Sequence, residues 1–299
     1  MNNLSKQKGI CLIGANGFLG SAIAKEIERE GLKWIGFTKS QSSHSNIKQI
    51  KSFHDPIFQK SLLNFPYIIN AMGSMKPIDF EENTVEVLDI FWKNIENLQA
   101  GLQNSKIEKF LQISSAGTIY GECIKNPHRE IDNTNPISWY GRAKLLEEIY
   151  YQNFAKRNKI DFLCTRVTNP YGNINKTDHG FIDVLINSII YKKRFKTFKD
   201  DNHSRDFIYA PDMAYSIVNF LLSEHTGTLN VASGNTIKLS KIINYIQSID
   251  RNFQPDMNLV SSDFDVNNNE VDISRLKSLS LDRETNNVFN YINSHLKKL

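Results

Sequence analysis

Ile10-Cys11-Leu12-Ile13-Gly14-Ala15-Asn16-Gly17-Phe18-Leu19-Gly20 decides how this chain is read. Four apolar residues, the length of a strand, run straight into glycines at 14, 17 and 20. Residues 18–30 then carry apolar side chains at 19, 22, 23 and 27, close to helical spacing, and stop at Gly31, as a helix closed by a glycine does. Without Cβ atoms, Gly14 and Gly17 let the backbone turn tightly and approach a pyrophosphate. The helix N-terminus behind them offers N–H groups and the positive end of a dipole. Gly20 lets helix and strand pack closely. A glycine-rich turn alone is weak evidence, but a strand before it and a helix after it make it a dinucleotide site, with Asn16, Phe18 and Leu19 in the same turn.

Outward from this turn, short apolar runs alternate with amphipathic stretches. Strands are predicted at residues 33–37, weakly at 47–50, then at 67–70, 110–113 and 160–167, with long helices at 83–103 and 138–156, the latter capped by Ser138. Strands separated by helices make βαβ units and a parallel sheet. After Pro170 the rhythm loosens. A turn-rich stretch at 172–180, a helix at 181–192 and a basic run at 192–199 come first. Strand and helix signals return at 206–209, 211–222, 228–231 and 239–249, so part of this half is expected to rejoin the sheet. Residues 267–269 read as a solvated loop.

Composition sets the class. The 299 residues are 40% hydrophobic and 23% charged, which excludes a disordered or collagen-like chain. The net charge of +4 comes from 36 basic and 32 acidic residues spread along the chain, so no nucleic-acid footprint is expected. No apolar run approaches the ~20 residues of a membrane helix, so no membrane partner is expected either. The polar residues 1–8 lack the pattern of a secretory signal. Cys11, Cys123 and Cys164 offer neither a disulfide framework nor a zinc site, and the seven histidines show no ligand spacing; no metal is expected, and the cysteines suit a reducing cytoplasm.

Two further features carry chemistry. NAD-selective folds place an acid at the end of strand two, about 20 residues beyond the glycines. Here that strand ends Gly36-Phe37-Thr38-Lys39-Ser40, with no carboxylate, and Lys39 with Ser40 suits a ribose 2′-phosphate; NADP is expected, with NAD as the alternative. Tyr140 and Lys144 lie four apart near the start of a helix, hence on one face. An ammonium beside a phenol favours its ionised form, which is what a tyrosine needs to exchange protons near neutrality. They follow Ser114-Ser115-Ala116-Gly117-Thr118-Ile119-Tyr120-Gly121, at the carboxyl end of a strand, where open parallel sheets place ligands.

The glycine turn, this Ser/Thr-rich run, Tyr140-x-x-x-Lys144, Asn169-Pro170-Tyr171-Gly172 and Arg205-Asp206-Phe207-Ile208-Tyr209-x-x-Asp212 resemble, in order and spacing, the extended short-chain dehydrogenase/reductase family. Within it they resemble the NAD(P)-dependent nucleotide-sugar epimerases, dehydratases and reductases. The resemblance runs on through residues 227–234 and 272–276, nearly the whole chain. It implies that Tyr140 is the acid/base and Lys144 its ribose-binding partner. The family's usual Ser or Thr, four residues before the tyrosine of the Tyr-Gly pair, is Ala116 here, so either Ser115 or Thr118 supplies the hydroxyl or the turn bulges by one residue, with Thr118 favoured and also facing substrate. The resemblance further implies that Asp55 contacts adenine and that Asn70 and Ala71 open a loop under the cofactor. Asn94 would steady the catalytic strand. Asn169 and Arg205 would contact a sugar diphosphate, and Phe198 would stack on its base.

The expected fold is α/β, a Rossmann-type doubly wound parallel sheet with a smaller, mostly C-terminal substrate lobe. Residues 1–170 and about 205–233 are assigned to the first, about 171–204 and 234–299 to the second. The expected function is NADPH-dependent reduction of a keto, in particular 4-keto-6-deoxy, nucleoside diphosphate sugar in the cytoplasm for polysaccharide biosynthesis. A nucleotide-sugar 4-epimerase and a catalytically inactive NADP-binding regulatory protein are the alternatives. Helices 83–103 and 138–156 resemble the dimer-forming helices of such enzymes, so a homodimer is considered.

Overall fold

The computed structural model describes residues 8–73, 75–103, 105–172, 180–198, 202–259 and 264–297; most of the turn at 172–180, Lys199 and most of the first eight residues lie outside these. The first part of the chain runs β1 (Ile10–Ile13), α1 (Phe18–Arg29), β2 (Trp34–Thr38), β3 (Ile47–Gln49), α2 (Pro56–Ser61), β4 (Tyr67–Asn70), α3 (Pro77–Glu82), α4 (Thr84–Leu102), β5 (Lys109–Ser115), α5 (Ala116–Ile119), α6 (Trp139–Asn158) and β6 (Asp161–Val167). The second runs β7 (Asn169–Tyr171), α7 (Phe181–Ile190), β8 (Lys196–Phe198), β9 (Ser204–Tyr209), α8 (Ala210–Leu222), β10 (Gly227–Val231), β11 (Thr236–Lys238), α9 (Leu239–Ile249), β12 (Asp256–Leu259), β13 (Asn268–Asn269), α10 (Ser274–Ser278) and α11 (Val288–Leu296).

Seven strands form one parallel sheet in the order β10-β6-β5-β4-β1-β2-β3. The order reverses at β1, which has β2 on one side and β4 on the other, and a crevice opens where successive connections leave toward opposite faces. Ile13 pairs with both Phe37 and Asn70, so the three strands end level at that crevice. β1 is apolar throughout because both faces are covered. On one face Ile23 and Ile27 of α1 share a core with Met213 and Ile217 of α8. On the other, Phe58, Leu98, Tyr151 and Phe154 bring in α2, α4 and α6. Ser138 caps α6 as expected, its hydroxyl accepting from Gly141 N at 3.0 Å.

The later half differs in part from its reading. α8 and β10 do return to the large sheet, but β9 does not: it pairs with β7, β11 and β13 in a second, four-stranded sheet. A buried Asp206 explains its place. Its carboxylate accepts from Ser233 N, Gly234 N and Thr168 Oγ1 at 2.7–3.2 Å, so β9 is tied to the ends of β6 and β10 rather than laid alongside them. Residues 267–269 are not a solvated loop either. Asn268 and Asn269 pair with β9, and Glu122 accepts from the N–H groups of Asn267 and Asn268, both at 2.7 Å. Three polar residues in a row carry no alternation by which a strand is recognised. A separate core of Tyr171, Ile182, Leu185, Ile242, Tyr291 and Ile292 supports this sheet. Among the described residues no helix is long and apolar enough to cross a membrane, and no group of three His, Cys, Asp or Glu is placed to hold a metal ion.

Candidate active site

The turn after β1 is built on glycine where the sequence reading put the need. Gly14 has φ +79°, and a Cβ there would stand 2.6 Å from the carbonyl oxygen of Ala71. A Cβ on Gly20 would stand 2.1 Å from the carbonyl oxygen of Gly14, so α1 can lie this close to β1 only without a side chain. Gly17 is ordinary in conformation, φ −75°, and opens α1 with no side-chain cap on the first turn. Phe18 and Leu19 sit in that turn, half-buried, with Leu19 packed on the core.

Above the turn a cavity of about 390 Å³ is walled by Gly14, Asn16 and Gly17, by Thr38, Lys39 and Ser40, by Lys51, Ser52 and Phe53, and by Ala71 and Gly73, with Asn94 and Asn97 reaching in from α4. Its lining contains two lysines and no carboxylate. Asn16 Nδ2 donates to Ser40 Oγ at 3.0 Å, and the hydroxyls of Thr38 and Ser40 are 3.1 Å apart, so the polar end of β2 is ordered beside the glycine turn. Lys39 Nζ donates to Asn94 Oδ1 at 3.0 Å, which makes Asn94 a partner of the cavity wall rather than of the catalytic strand.

Two expected cofactor contacts are placed elsewhere. Asp55 does not line this cavity; followed by Pro56, it becomes the N-cap of α2, and its carboxylate accepts from Ile57 N at 2.8 Å. Ser52 and Phe53 stand at the wall instead. Asn70 is fully buried, donating to Gln112 Oε1 at 2.8 Å, so it braces β4 against β5 while Ala71 reaches the cavity. Lys51 went unnoticed in the sequence because, just past a weak strand, it reads as an ordinary surface lysine.

Tyr140 and Lys144 lie on one face of α6 over the end of β5. Phe80 of α3 meets the Tyr140 ring edge-on, with centroids 5.4 Å apart. Lys144 is buried and donates through Nζ to the carbonyl oxygen of Ile113, at 2.9 Å, and to the Glu147 carboxylate. Burial pushes the Tyr140 phenol above its ordinary value, the Lys144 ammonium pulls it back, and the Glu147 carboxylate adds to the rise. Burial alone would lower Lys144, but Glu147, with a smaller contribution from Tyr140, holds the ammonium above its usual range.

At the turn after β5, Ala116 is buried and Ser115 opens α5 with its hydroxyl not spent on a cap. Thr118 Oγ1 is sealed inside and has no hydrogen-bond partner among the described residues. The position of a Cβ on Gly117 lies 3.7 Å from Ser115 Oγ, 3.7 Å from Asn269 Nδ2 and 4.0 Å from Asn169 Oδ1, so these three polar groups surround one spot. Asn169 is held there by donating to Asp206 O at 2.8 Å. Asn269, which the sequence reading left in a loop, donates to Ala116 O at 3.1 Å. Arg205, the neighbour of Asp206, donates to the carbonyl oxygens of Ser204 and Asn267 and pairs with Asp265 at 3.0 Å. Phe198 lies apart on β8, half-buried and stacked on His203 with centroids 3.7 Å apart.

Similarity to known proteins runs along most of the chain. The dTDP-4-dehydro-6-deoxyglucose reductase of Escherichia coli is 26% identical over 268 residues, covering 81% of this chain and 82% of the relative. A putative UDP-glucose 4-epimerase of Methanocaldococcus jannaschii is 27% identical over 248 residues, covering 80% and 81%. The fold matches the crystal structure of a Thermus thermophilus UDP-glucose 4-epimerase in complex with NAD, with a TM-score of 0.83 at 16% identity, over 97% of this chain and 100% of that one. The sequence model of the NAD dependent epimerase/dehydratase family matches residues 10–232, and the chain belongs to that family.

Proposed function

We propose that this enzyme reduces a 4-keto-6-deoxy nucleoside diphosphate sugar with NADPH. The observation that carries the reading is the cavity wall: Lys39 and Lys51 with no carboxylate. An acid there would accept ribose hydroxyls and repel a 2′-phosphate, whereas ammonium groups attract it. The glycine turn fits a dinucleotide, since a side chain at Gly14 or Gly20 would close it. A consumed reductant suits a net reduction, and the similarity to a reductase of such a sugar points the same way.

Tyr140 gives its proton to the sugar oxygen as negative charge grows there. When bound, NADPH supplies the hydride for that step. Lys144 holds the ribose and steadies the phenolate left behind. Ser115 is the better candidate for the hydroxyl on the sugar oxygen, because Thr118 Oγ1 is sealed. Asn169 and Arg205 would take the diphosphate, Arg205 exchanging Asp265 for phosphate oxygens, and Phe198 would face the base. Exposed Ile90 on α4 and Leu146 and Ile149 on α6 suit a homodimer through these helices, and a cytoplasmic setting suits the three free cysteines.

A 4-epimerase is the second reading, favoured by the similarity to a putative UDP-glucose 4-epimerase over nearly the same share of the chain. The inactive regulatory alternative has against it the intact, paired Tyr140 and Lys144. Fluorescence titration with NADPH and NADH separates the cofactors. NADPH is expected to bind at least tenfold tighter, with the gap shrinking in Lys39→Ala and again in Lys39→Ala/Lys51→Ala. Equal affinities, or an NADH preference, would remove the basis of the reductase.

A further inference from the structure

Glu147 is 2% exposed, lies one turn beyond Lys144 on α6, and has no part in the proton transfer described above. A carboxylate this dry is costly unless paired, and an apolar residue of similar size would pack at less cost. Lys144 has three ammonium donors. One goes to Ile113 O at 2.9 Å and one to Glu147, so Nζ is fixed between β5 and α6 with a third donor left for a ribose hydroxyl.

We propose that Glu147 is a positioning residue, the resident counter-ion that aims Lys144 Nζ and keeps it charged in the dry interior beside Tyr140. This rests on Tyr140 and Lys144 being the acid–base pair. The charges that act on Tyr140 are those of Lys144 and Glu147. On the same helix Glu148 is taken up by Arg166 of β6, at 2.8 Å, while burial raises Tyr151 on α6 and Cys164 on β6 well above their ordinary values and keeps them neutral. β5 contributes the Ile113 carbonyl. A buried ammonium without its counter-ion gives up its proton more readily, so removing the Glu147 charge moves the Lys144 titration to lower pH.

The test needs no sugar substrate. The chain carrying ε-¹³C lysine is titrated by NMR with NADPH bound, Lys144 being assigned by its loss in Lys144→Met. In Glu147→Gln the Lys144 midpoint is expected to fall by at least about one pH unit, and NADPH to bind several-fold more weakly. Glu147→Asp keeps the charge but withdraws it by one methylene, so its midpoint stays within a few tenths of wild type while NADPH affinity still falls. A purely structural role would lower the melting temperature and move neither quantity. An unmoved midpoint in Glu147→Gln overturns the proposal. If that variant does not fold, wild-type NADPH affinity in Glu147→Asp overturns it instead. Failure of every nucleotide sugar to turn over would count against the proposed reaction and leave this result standing.

Discussion

The residue on which the proposed chemistry turns is Tyr140, whose phenol is held above its ordinary value, chiefly by burial. That direction suits a proton donor, which must stay protonated until charge develops on the sugar oxygen. Tyr140→Phe removes only the hydroxyl and is expected to lower kcat by about 10²–10⁴-fold, with NADPH affinity nearly unchanged. Lys144→Met is expected to hurt both quantities, since it removes the ribose donor and the charge beside the phenolate. Steady-state kinetics with parallel cofactor titrations distinguish the two, and a Tyr140→Phe enzyme within a few-fold of wild type would move proton transfer to another group. The neighbouring turn makes a sharper comparison. Ser115→Ala should cost at least tenfold in kcat, while Thr118→Ala, which removes a sealed and unpartnered hydroxyl, should change kcat little. The reverse ranking would restore the preference drawn from the sequence.

Among the elements, the β1–turn–α1 unit was legible and the β9–β13 pair was not, for physical reasons. In the first, Gly17 and Gly20 are crowded by backbone of the same segment, so their spacing is visible locally, although Gly14 also faces Ala71 after β4. Gly20→Ala tests this. Its methyl would meet Gly14 O, and overpacking against backbone is expected to cost about 1–3 kcal/mol in a denaturant melt and to weaken NADPH binding with it. A variant as stable as wild type would mean that helix and strand can part without cost. β13 is held by Glu122, 145 and 146 positions away in sequence, and by a partner strand, neither of which leaves a periodic mark. Asp55 was misplaced for a related reason: Pro56 turns it into a helix cap, and capping competes for the same carboxylate that a ligand would use. Glu147 was passed over because an acid three residues from a lysine on a helix usually lies on a solvated face; only burial distinguishes it.

At the scale of the whole molecule, one parallel sheet sets a cavity of about 390 Å³ at its switch point, and a second, smaller sheet brings Asn169 and Asn269 to the turn after β5. The parallel sheet followed from alternating strands and helices, whereas the way β7 and β9 leave it to build the second sheet depends on long-range bonds from Asp206. The proposed reaction requires that the reductant be consumed. The measurement that bears most directly on this is NADPH absorbance with a panel of nucleoside diphosphate sugars, including 4-keto-6-deoxy sugars, followed to completion. One NADPH is expected to be oxidised for each 4-keto sugar consumed, and none with 4-hydroxy sugars. Inversion at C4 of a 4-hydroxy sugar with no net loss of NADPH would contradict this and make the protein an epimerase.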